Sequence, residues 1–216
     1  REDHHGVDVA PQLLRRPPSD PDVAVARFVA QVRPDLPPVF AGQEMTLASM
    51  GARARSGSGP VAARADVEVL RVLCDHHCVD AEHTCSGGPG AGYRQLLHDL
   101  EESLSSAERA AANHNLWLSA FGDLLRDPPR VDLTGPSAVQ WVLTALLTPE
   151  RRQRALAQAL EEVPGPWRHL VPRGHPDAPL TTAAGIGFVT ASMCDALVRI
   201  AAVEEDLHTK LLEWRA

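Results

Sequence analysis

Lysine is almost missing from this 216-residue chain, with Lys210 as its single representative, and Ile186 and Ile200 are the only isoleucines. Basic charge is otherwise arginine, and alanine, proline and glycine are abundant, a usage that points to a GC-rich gene and says nothing about chemistry. Aromatic residues make up only 4% of the chain, so aliphatic side chains must supply the core. Basic excess is also lacking: the formal charge is −7, which excludes a nucleic-acid backbone as the main partner, because phosphate binding needs clustered cations. No run approaches the roughly 20 continuous apolar residues of a membrane span, and no basic-then-apolar leader is visible, so the expectation is a protein without a transmembrane segment. Alternation at period two is also absent, which argues against a sheet.

What is present is helical periodicity. Tyr93, Leu97, Leu100, Leu104, Ala107, Ala111, His114, Leu118, Phe121 and Leu125 recur three and four apart, bracketed by Ser86-Gly87-Gly88-Pro89-Gly90 and Asp127-Pro128-Pro129. This predicts a spine helix over about 92–126. A second seam of Ile186, Val189, Met193, Ala196, Leu197, Ile200, Val203, Leu207, Leu211 and Trp214, capped by Thr181 or Thr182, predicts another over about 182–215. Shorter helices follow from Asp20-Pro21 with Val23, Phe28, Val29 and Val32, from Val61 to about Cys78, from Thr134 to Leu147, and from Thr148-Pro149 to Val163. The expected fold is an all-α bundle built on two long helices, joined by long Pro/Gly-rich loops. Residues 1–19 read as a flexible arm, and 20–216 as one domain with a mobile loop around 51–60, where Ser56-Gly57-Ser58-Gly59-Pro60 falls. Ala183-Ala184-Gly185-Ile186-Gly187 is small enough to let another backbone come close.

The densest group of potential ligands runs from Cys74 to Cys85. Cys74 and Cys78 share one helical face, and His83 and Cys85 could fold back to complete a Cys₃His tetrahedron, so the spacing permits a structural zinc at the elbow between two helices. The four cysteines equally allow two disulfides or reduced thiols. Within the group, Asp75-His76-His77-Cys78 matches the signature tetrapeptide of protein S-acyltransferases. That family is embedded in the membrane and has further zinc-binding cysteines upstream, and both are missing here, so the match is assigned to chance.

Other chemical motifs are incomplete. Glu205-Asp206-Leu207-His208 is half of a di-iron carboxylate site and finds no second Glu-x-x-His. The glycine tract 87–92 lacks the Gly-Lys-Ser/Thr ending of a phosphate loop, and no nucleophile elbow occurs. His114 within the spine seam reads as a core residue. Leu170-Val171-Pro172-Arg173-Gly174 matches a thrombin recognition string. With no catalytic constellation and with Trp117, Trp141, Trp167 and Trp214 as candidate interface anchors, the sequence points to a non-catalytic interaction, scaffold or adaptor domain with a protein partner, as a homo- or hetero-oligomer. The alternatives are a secreted four-helix ligand resembling the cytokine class in architecture alone, and a metal-binding helical enzyme or sensor that uses residues 74–85.

Overall fold

The structure is a computed structural model that describes residues 18–33, 35–56, 59–79, 91–120, 131–165, 168 and 171–215; side chains at 55, 91, 113–120 and 204–215 are outside that description. It is predominantly helical, with seven helices among the described residues. They are α1 (Pro21–Val32), α2 (Leu47–Arg55), α3 (Gly59–Asp75), α4 (Ala91–Ala120), α5 (Pro136–Leu147), α6 (Pro149–Glu162) and α7 (Leu180–Arg215). The chain divides into two compact units, Arg1–Asp99 and Leu100–Ala216, and the division falls inside α4.

In the first unit, α1 starts as its sequence dictates. The Asp20 carboxylate accepts from the backbone N–H groups of Asp22 and Val23, and Pro21 fills the first helical position, where no donor is needed. Its buried face is Val23, Ala26 and Ala30, so the apolar set expected from spacing is turned: Phe28 points outward, 45% exposed. After α1 comes a two-strand hairpin, β1 (Val39–Phe40) and β2 (Gln43–Glu44), where no sheet was expected. Ala41 and Gly42 both have positive φ, at 49° and 76°, the conformation required of a two-residue type I′ connection.

Helix α2 then occupies 47–55, so the segment around 51–60 that composition assigned to a mobile loop is helical through Arg55. Thr46 caps it by accepting from Ser49 N–H. Arg53 joins hairpin, α2 and α3: Nε and Nη2 donate to the two oxygens of Asp66 at 3.0 and 3.1 Å, and Nη1 donates to the Glu44 carbonyl at 3.2 Å. Helix α3 buries Ala63, Val67, Leu70 and Leu73 against α1 and α2.

In the second unit, the Asp132 carboxylate accepts from the N–H groups of Thr134 and Gly135 and from the Thr134 hydroxyl, closing the turn that launches α5. Helices α5, α6 and α7 pack mutually. Arg168 finishes α6 by donating to the carbonyls of Val163 and Glu161, both at 2.7 Å. Helix α7 starts at Leu180, two residues before the expected 182, with Thr181 buried inside its first turn rather than capping it. It crosses α4 closely, because an added Cβ at Gly185 would lie 2.2 Å from the Ser103 carbonyl oxygen. Val163, Val171, Met193, Cys194 and Leu197 form a core cluster.

One stretch of α7, Leu180–Val203, is long and apolar enough to cross a membrane by length and composition alone, a test that the core helix of a soluble protein also passes. Its polar residues, Thr181, Thr182, Thr190, Ser192, Asp195 and Arg199, interrupt the apolar run. Its buried residues, among them Phe188, Val189, Met193 and Leu197, are core of this unit, and a chain without a transmembrane span is compatible with that arrangement.

Candidate functional site

The ligand-rich segment begins where α3 ends. Leu73 and Cys74 close the helix, and two hydrogen bonds then reverse the chain: His77 N–H donates to the Cys74 carbonyl at 3.3 Å and Cys78 N–H to that of Leu73 at 2.8 Å. Together with φ = 53° at His77, these define a Schellman cap, with His77 in the left-handed position that glycine normally takes. The apolar contact that usually accompanies such a cap is available too, since Leu73 and Cys78 are both fully buried. Asp75-His76-His77-Cys78 is therefore the end of α3, turned back by backbone hydrogen bonds. A Cys78 sulfur with no exposed surface, 3.9 Å from the Val23 carbonyl oxygen, is poorly placed to receive an acyl group.

Electrostatics agree with a structural role. Burial pushes the Cys74 thiol above its ordinary value, with the Arg94 charge opposing that rise and Asp75 adding to it. A thiol held in its neutral form is a weak nucleophile and a weak metal ligand. Arg94 reaches back from α4 to His77, with Nη2 3.3 Å from Nδ1.

Among the described residues, no group of three or more His, Cys, Asp or Glu side chains converges as metal donors. Of the residues singled out for zinc, Cys74 and Cys78 lie at the end of α3, while His83 and Cys85 are outside the described residues. The expected Cys₃His site has no geometric support among the residues described.

Next to this cap lies a cavity of about 290 Å³, lined by Pro18, Ser19, Asp20, Val23, Arg27 and His76. It combines a cationic side chain, an imidazole and the carboxylate that caps α1. Arg27 Nε and Gln31 Oε1, one turn apart on α1, are buried without a hydrogen-bond partner. A donor and an acceptor so spaced are suited to a bridging water.

The tryptophans expected at an interface divide. Trp141 is used within the second unit: its ring meets Phe188 at 6.1 Å between centroids, Gly187 leaves room for it, and the Arg152 guanidinium sits 4.9 Å above its face. Burial lowers the proton affinity of Arg152. Side chains of Trp117, Trp167 and Trp214 are outside the described residues, as are those of His114, Glu205 and His208.

What the sequence reading missed is an apolar surface on the first unit. Val25 is 57% exposed and Phe28 45%, three apart on one face of α1, with Leu36 and Val39 also exposed beyond it. The signal was available in the spacing, because Val23, Ala26 and Ala30 already complete an inward stripe that leaves Val25 and Phe28 on the other side.

No family model, curated protein or solved structure is similar to this chain.

Proposed function

We propose that the protein is a non-catalytic interaction domain that docks a protein partner on the outward face of α1. The observation that carries this reading is the exposure of Val25 and Phe28 on one side of a capped, well-anchored helix. Large apolar side chains left in water at adjacent positions are a standing source of binding energy, and burying both against a partner is worth about 3 kcal/mol. The partner surface is apolar, most simply the hydrophobic stripe of an amphipathic helix, which lies against another helix through positions three and four apart.

The test compares affinity capture by the natural chain and by a Val25→Asp/Phe28→Asp double variant. Both positions are exposed, so the variant is expected to keep the far-UV circular dichroism and melting temperature of the parent. The reading predicts a protein retained by the parent and lost from the variant. Capture of the same proteins by both would refute it.

A further inference from the structure

Between α6 and α7 the fold treats four consecutive residues in opposite ways. Val171 is 4% exposed and belongs to the core cluster with Val163, Met193, Cys194 and Leu197. The Thr190 hydroxyl of α7 has two carbonyl acceptors within reach, Pro172 at 2.8 Å and Ile186 of its own helix at 2.9 Å, so its one hydrogen is shared between the segment and the helix. Arg173 and Gly174, immediately after, are exposed and outside any helix or strand. The Pro-Arg-Gly order offers a cationic side chain for the acidic specificity pocket of a trypsin-like serine protease, with proline preceding it, while the two residues upstream are fastened to the core.

We propose that the Arg173–Gly174 peptide bond is a latent cleavage site for a trypsin-like serine endoprotease of Pro-Arg preference, held closed by the burial of Val171 and by the Thr190–Pro172 hydrogen bond. Such proteases bind their substrate as an extended strand, with the backbone upstream of the cut paired to the enzyme. That pairing requires Val171 to leave the core and Pro172 to release Thr190. Once the segment opens, water adds across the Arg173–Gly174 amide. The C–N bond breaks, Arg173 gains a carboxylate and Gly174 an amino group, and no further reactant is needed. When reclosing is faster than cutting, the rate follows the open population. Releasing one buried valine and one hydrogen bond makes that population on the order of 1 in 100 to 1 in 1000.

The experiment digests the full folded chain with thrombin as the probe protease, beside a synthetic peptide spanning residues 168–178 at the same concentration. Cutting at the Arg173–Gly174 bond of the folded chain, followed by mass spectrometry apart from any cut at the second Pro-Arg pair, Pro129-Arg130, is expected to run roughly 100- to 1000-fold more slowly than in the peptide. Thr190→Val is expected to raise the rate at this bond about two- to fivefold by removing the shared hydrogen bond, and Arg173→Ala to abolish cutting at this bond. A folded-chain rate equal to that of the peptide, or an unchanged rate in Thr190→Val, overturns the proposal. Should Thr190→Val fail to fold, the natural chain still decides. A rate that rises only shallowly across sub-denaturing urea supports local opening, and one that rises with the full slope of global unfolding overturns it.

Discussion

Replacing Gly185 by alanine tests the α4–α7 crossing on which the second unit is built. The new Cβ would stand 2.2 Å from the Ser103 carbonyl oxygen, 2.8 Å from the Ala107 nitrogen and 3.0 Å from the Ser106 Cβ. Two of these three neighbours are helix backbone and cannot swing away. Carbon and a carbonyl oxygen rest comfortably at about 3.3–3.6 Å, so the helices must part locally by roughly 1 Å. Forced overpacking of this kind costs about 1–3 kcal/mol and sometimes more, and parting also loosens Ala107 and Ala184, which are now buried. Alanine returns about 1 kcal/mol of helix propensity, so with backbone atoms as the obstacle and overpacking at the upper end of that range the net loss is about 2 kcal/mol. For a chain of this size that is roughly 4–8 °C in melting temperature. Gly92→Ala is the control, because its Cβ would meet only the Leu47 Cδ1 at 3.5 Å, an ordinary contact, so it should melt at or slightly above the parent. Scanning calorimetry of the three proteins decides. A Gly185→Ala variant as stable as the parent would refute the close crossing.

Other consequences are equally open to measurement. Arg53→Ala strips the bidentate partner from Asp66, whose side chain is only 11% exposed, and should cost about 2–4 kcal/mol in urea unfolding; a loss below 0.5 kcal/mol would show that the pair is dispensable. His77→Gly removes a non-glycine residue from the left-handed cap position and should raise the urea midpoint by the equivalent of about 0.5–1 kcal/mol, the Arg94 contact being a minor loss at the surface. Ala41→Asn should act in the same direction at the hairpin turn. Cys74 and Cys194 have thiols raised by burial, so the native state favours their neutral forms. Their contribution to stability is complete below the unfolded-state thiol value, near 8.5, and is lost as pH rises through the higher folded-state values. Urea midpoints taken between pH 8 and pH 10.5 should therefore fall, and the fall should be smaller in the Cys74→Ser/Cys194→Ser variant.

Much of the architecture could be read from spacing and caps, because α1, α5 and α6 start at Pro21, Pro136 and Pro149, where proline costs the helix nothing. The register of faces was harder. Along α4 the buried line includes Leu96, Ser103 and Ser106, while Leu97 and Leu104 are only half-buried. Hydrophobicity cannot anticipate this, since the small serines are selected by the close approach of Gly185 and not by their polarity. The same holds on α1, where two alanines take the inward side and the larger Phe28 stays outside. The 51–60 segment misled through composition: its glycines and serines suggested a loop, but Thr46 supplies a cap and Arg53 a tether that hold 47–55 helical. At the candidate site, the cysteine and histidine spacing suggested a ligand set. The described part of that segment is a backbone-bonded helix end, marked by the positive φ at His77, and residues 80–90 with the other two ligands lie outside the description.

The account turns on whether the outer face of α1 meets a partner. The most direct measurement replaces Phe28 with the photo-crosslinking residue p-benzoylphenylalanine, and in a separate protein Gln153 on the outer side of α6, then irradiates both in the cells of origin and identifies adducts by mass spectrometry. The account predicts a specific protein adduct at position 28 that is missing at position 153. No adduct at 28, or the same adducts at both positions, would contradict it.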